Sequence, residues 1–109
     1  MKNYLYTGDT LDIVAPAGGV VSGNAYLIGT IIGVAVATAA AGATVAMRVE
    51  GVFTLPKLGT DVVTQGALLY WDNTNFRLTL TSAGNTLAGI AWAAAGNGPT
   101  TVQIKLKGR

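Results

Sequence analysis

The residues able to carry chemistry are few, and their types narrow what the chain can do. It has no histidine and no cysteine, so nucleophilic triads of the common kinds, thiolate sites and most zinc sites cannot be built from it. Strong acid–base groups are confined to five carboxylates and the lysines. Asp9 and Asp12, in "GDTLD", stand close enough in sequence to raise the question of a cation site. A turn running into a strand sends such a pair apart. The expected roles are a turn carboxylate bonding backbone amides at Asp9 and a solvated strand position at Asp12, with no metal. Lys57, in "LPKLG", raises the question of a buried amine tuned for catalysis. Following Pro56 at a strand end, it is expected instead as a solvated or interfacial charge. No stretch reads G-x-x-x-x-G-K-[ST], the loop whose amides cradle phosphates ahead of a lysine and a hydroxyl. ATP hydrolysis by that route is excluded, no catalytic residue is identified, and no cofactor is expected.

Charge and polarity point toward contact with other surfaces. Seven basic and five acidic side chains leave a net charge of +2, and charged residues make up 11% of the chain. Typical soluble domains carry about 25%. Polarity comes instead from threonine, asparagine and backbone exposed at fifteen glycines, which suits a protein that gives much of its surface to partners. The calculated pI of about 9.2 rests on very few titrating groups. Lys105, Lys107 and Arg109 crowd the C-terminus, but no basic patch is interleaved with aromatics as stacking readers of single strands need. A solvated tail is expected there, and no specific nucleic-acid partner. Tyr70, Trp71, Phe76 and Trp92 read as core or subunit-contact residues.

The elements that must position these groups are short. With 109 residues the chain is one domain spanning residues 1–109, long enough to bury roughly 65% of its unfolded surface. Residues 13–47 carry no charge, and the apolar run within them is long enough to cross a bilayer as a helix. Gly29, Gly33 and Gly42 break that run, basic and aromatic anchors are missing from its flanks, and its β-branched content favours strands, so no membrane partner is expected. Nothing at Met1-Lys2-Asn3-Tyr4 resembles a signal peptide, and synthesis inside the cell is expected. Apolar runs between glycine-containing turns, spaced by roughly 8 to 12 residues, predict an all-β sandwich or barrel. The predicted strands are 3–6, 11–15, 25–27, 31–37, 44–53, 67–71, 77–81, 87–94 and 101–107. "TDVVTQG" allows at most a short helical turn, capped by Thr60 or Asp61. The last strand alternates Val102, Ile104 and Leu106 with polar residues, and its lysines place it at a sheet edge. In "YWDNTNFRLTLT", Asp72 and Asn73 are expected to turn the chain, Leu78 and Leu80 to pack inward, and Arg77, Thr79 and Thr81 to be displayed.

Four stretches carry a resemblance: the "APAGGVVSG" turn, the "EGVFTLPK" strand end, the "YWD" hairpin entry, and "GNTLAGIAWAAA" with Gly89 and Ala91. In this order and spacing, over nearly the whole chain, the sequence resembles the tailed-phage capsid cement, or decoration, proteins. A RecA/RadA-like recombinase label carried by some members is contradicted here by the missing phosphate loop. The resemblance implies a small β-sandwich or jelly-roll-like structural protein of the virion, made in the bacterial host cytoplasm. Its implied partner is the major capsid protein, on whose outer shell it would bridge neighbouring capsomers. Sparse surface charge adds the expectation of a homo-oligomer, a dimer or trimer. The residues expected at capsid or subunit contacts are Tyr4, Tyr6, Lys57, Trp71, Lys105, Lys107 and Arg109. The other classes open to the sequence are a subunit of another phage assembly, such as a tail or head-completion piece, and a small membrane protein.

Overall fold

The computed structural model describes residues 10–107, and among them nine strands form and no helix does. The first four are β1 (Thr10–Val14), β2 (Ala25–Ile28), β3 (Ile31–Ala35) and β4 (Thr44–Arg48), hydrogen-bonded in the order β1-β4-β3-β2. This is a Greek key, with the first strand laid beside the last of a three-strand meander. The other five are β5 (Glu50–Pro56), β6 (Leu68–Asp72), β7 (Arg77–Thr79), β8 (Thr86–Ala91) and β9 (Thr101–Lys107), in the order β5-β9-β8-β6-β7. Each sheet is thus built from one contiguous half of the described chain, and every strand pairing is antiparallel. The strand expected over residues 3–6 lies outside the described residues. The expected all-β fold is the one the chain adopts, and no helix of the described residues is long and apolar enough to cross a membrane.

The uncharged run is apolar because β3 is covered on both faces. Ile32 and Val34 pack toward the five-stranded sheet, while Ile31 and Ala35 face a second cluster with Ile13, Val45, Met47 and Val49. A strand buried on both sides loses its polar alternation and reads as continuous hydrophobic sequence. The larger core lies inside the five-stranded sheet, where Leu55, Leu69, Trp71, Leu78, Ile104 and Leu106 are fully enclosed. That sheet curls: its two edges, β5 and β7, approach each other, and a parallel bridge joins Lys57 to Leu78 just past the end of β5. The Leu58 amide donates to the Leu78 carbonyl at 2.9 Å across the same seam.

Two expectations change. Residues 44–53 are not one strand, because the chain passes from one sheet to the other at Val49. Val45, Met47 and Val49 are buried and so is Leu55 beyond, at the same odd-numbered positions, so the apolar alternation in the sequence does not mark the corner. Gly51, at φ 118°, supplies the backbone conformation that the corner requires. Residues 60–66, where the sequence allows at most a short helical turn, form none, and Val63 and Ala95 exchange amide bonds of 2.7 and 2.9 Å. Finally, β9 is not an edge strand but lies between β5 and β8. Its lysines reflect one solvated face of an antiparallel sheet, which central strands share with edges.

Candidate interaction surface

The outer face of the five-stranded sheet gathers exposed apolar side chains by register. Val52 of β5 pairs with Lys105 of β9, Lys105 with Ile90 of β8, and Ile90 with Leu68 of β6. Directly opposed residues in antiparallel strands share a face, so these four form one row across the sheet. Val52, Ile90 and Leu68 are large, apolar and exposed, and their chain neighbours Leu69, Ala91, Ile104 and Leu106 are buried on the inner side. Trp92 continues the row beside Gln103, to whose carbonyl its amide donates at 2.8 Å, and its side chain is 49% exposed. Scattered exposed apolar residues are ordinary, but a contiguous row with a single cation, Lys105, is the signature of a contact surface.

A hairpin tip presents a second exposed aromatic. β6 and β7 join through residues 73–76, and the Asp72 carboxylate organises the turn. It accepts from the Asn75 side-chain amide at 2.8 Å, and from the backbone amides of Thr74 at 3.0 Å and Asn75 at 3.3 Å. These bonds, the Asn75 side chain first and the Thr74 amide next, hold its acid constant below the ordinary carboxylate value. A carboxylate depressed in the folded state stabilises above its unfolded pKa of about 3.9, and that contribution disappears as the pH falls through the folded value. Asp72→Asn is therefore expected to be less stable than the parent at neutral pH, with urea-unfolding curves that converge once acid has protonated the native carboxyl. A gap that stays constant down to acid pH would show that the charge plays no part. Phe76 closes the turn at φ 54° and is 57% exposed. A bulky residue in the left-handed region costs about 1–2 kcal/mol, so it stands out as an aromatic held outward against its backbone preference.

Lys57 and Trp71 are buried. Lys57 is 3% exposed, and its ammonium donates to the carbonyls of Leu58 at 3.0 Å, Gly59 at 3.5 Å and Asp61 at 2.8 Å. It is neither solvated nor on the surface, because those three carbonyls converge where β5 leaves the sheet. The same loop returns a carboxylate: Asp61 accepts from the Thr79 hydroxyl at 2.8 Å and the Leu80 amide at 3.0 Å. Thr79 is thereby covered, whereas Leu80, expected inside, is exposed; Leu78 is buried as expected. Trp71 is 2% exposed, with its indole N–H donating to the Asn73 side-chain carbonyl at 3.0 Å. Among the residues expected at contacts, Lys105 stands at the centre of the apolar row and Lys107 pairs in register with Glu50 at the end of β9. Tyr4, Tyr6 and Arg109 lie outside the described residues, as does Asp9. Asp12 is exposed on β1. Val52, Leu68 and Ile90 carry no chemical signal in the sequence; only the pairing of distant strands brings them together.

An all-β fold that displays a sparsely charged apolar sheet face is suited to contact with other protein surfaces. The family model for phage cement proteins matches residues 5–106, and the chain belongs to that family. No curated protein and no solved structure matches it. Membership makes it a structural component of the phage capsid, associated with the capsid protein of the virion, in a family that is not enzymatic.

Proposed function

We propose that this protein binds the outer surface of the assembled phage head, as a dimer or trimer, and stabilises it by bridging neighbouring capsomers through the outer face of the five-stranded sheet. The observation that carries the reading is the row Val52, Lys105, Ile90 and Leu68, extended by Trp92, on a member of the cement family. Fully burying an isoleucine or leucine side chain is worth about 1.5–3 kcal/mol, so covering this half-exposed row contributes a few kcal/mol per copy before association costs. Repetition over a lattice converts such modest contacts into strong retention, and each copy that binds the assembled shell better than free subunits stabilises it by mass action. Few charges need desolvating, which makes retention only weakly sensitive to salt. The terminal segments, with Tyr4, Tyr6, Lys107 and Arg109, complete the proposed contact, since chain ends order readily when a lattice holds them.

The test is cosedimentation of the purified protein with expanded heads and, separately, with unassembled capsid subunits. Binding to heads alone is expected. Ile90→Lys, which places a second cation beside Lys105, should lower head occupancy at least tenfold while shifting stability by no more than about 1 kcal/mol. Undiminished occupancy would remove this face from the interface, and preferential binding to free subunits would sink the cement mechanism.

A further inference from the structure

Two open strand edges border a groove at the seam of the curled sheet. β2 ends the order of one sheet and β5 ends the other, and the outer side of β5 meets β7 only near its end, at the Lys57–Leu78 bridge. The Ala35 amide donates to the Asn24 carbonyl at 3.0 Å, which sets the hydrogen-bonding phase of the β2–β3 pair. By the alternation of antiparallel ladders, the amides and carbonyls of Ala25 and Leu27 then point away from β3. On β5, the Lys57 amide donates to the Thr100 carbonyl at 2.8 Å. The same alternation turns the backbone groups of Thr54 away from β9, while the outward carbonyl of Pro56 falls at the Lys57–Leu78 bridge and is taken up by that seam. Between these edges lies a groove of about 540 Å³ lined by Ala25, Tyr26, Thr54, Leu55, Trp71 and Phe76 among others. A recess of about 360 Å³ continues it along β2, past Tyr26 and Leu27, with Phe76 bordering both.

We propose that this groove receives an extended segment of the capsid subunit, which adds as a strand to the open edge of β2 and lays an apolar side chain against Tyr26 and Phe76. The proposal rests on the cement reading for the source of the segment and on this geometry for its form. An edge that offers outward amides and carbonyls at alternate residues is matched by another extended backbone, and side-chain pockets beside it select the sequence. The groove is walled on both sides, by β2 and by the end of β5 with the hairpin tip. That shape favours a lone extended segment over the edge of a folded sheet. The left-handed backbone of Phe76 is accounted for as well: the conformation holds its ring beside the groove.

The experiment combines hydrogen exchange with two variants, all on undecorated expanded heads. In the intact protein, the amides of Ala25, Leu27 and Thr54 should exchange at least tenfold more slowly when head-bound than when free. Phe76→Gly relieves the positive φ while removing the ring; it should keep or raise the thermal midpoint and bind heads at least tenfold more weakly. Ala25→Pro deletes an amide that β3 does not use, at an edge where proline is tolerated, and should weaken binding likewise. If either variant unfolds, the exchange measurement on the intact chain still decides. Head binding with unchanged exchange at these amides, or undiminished in both folded variants, overturns the groove while leaving the cement reading in place. No head binding by the intact chain overturns both.

Discussion

Gly89→Ala is expected to destabilise the protein by at least about 3 kcal/mol, a large part of the total stability of a domain this size. A Cβ at residue 89 would lie 2.0 Å from the Lys105 carbonyl oxygen and 3.1 Å from the Leu106 Cα. Both are backbone atoms of β9, so no rotamer change relieves the contact, and β8 must separate from its central partner. Gly89 pairs with Leu106 on one side and Leu69 on the other, where the β6–β8 register shifts between Leu69 and Tyr70. The close approach therefore falls at an irregularity that both neighbouring strands depend on. Gly96→Ala is the matched control. Its added methyl meets nothing within 4 Å, and it should be neutral or stabilise by up to about 1 kcal/mol. Denaturant midpoints measure both, and a loss below about 1 kcal/mol for Gly89→Ala would show that β8 and β9 can move apart cheaply.

The second large effect is expected at Trp71. Its ring is enclosed by the curled sheet and faces a cluster that includes Leu55, Leu69 and Leu78, so Trp71→Ala removes a large apolar volume from the middle of the core. Such truncations cost about 3–5 kcal/mol. Loss of the bond to Asn73 adds little, because that side chain is exposed and regains water. The two tryptophans give an independent reading: with Trp71 replaced, native fluorescence comes from the half-exposed Trp92 alone and should shift to the red. A cost below about 1 kcal/mol, or emission that stays blue, would place Trp71 outside the core.

Alternation within a strand is a local property, and it was legible from the residues alone. Val102, Ile104 and Leu106 are buried and Gln103 and Lys105 exposed, as their order requires. The hairpin after Trp71 and the strand starting at Thr44 follow from the same reasoning, as does the all-β class. The cement family was legible too, through motifs spread along nearly the whole chain. Lys57 was not: a cation beside a proline looks solvated until three carbonyls from its own loop are seen to surround it. Leu80 and Thr79 exchanged their expected roles because Asp61, eighteen residues before Thr79, supplies an acceptor to both.

What the sequence by itself determined is the period of each segment, and therefore which side chains turn inward, because pleating imposes that choice on every strand whatever its neighbours. Which strands become neighbours was decided only by the tertiary structure. Val45, Met47, Val49, Phe53 and Leu55 keep one odd-numbered apolar phase across Val49, so the residue pattern does not mark the change of sheet there, and a lysine on a solvated face looks the same in a central strand as at an edge. The row of Val52, Ile90 and Leu68 and the groove between β2 and β5 are properties of pairing between residues far apart in the chain. They depend on long-range register, which one sequence read along its length does not contain.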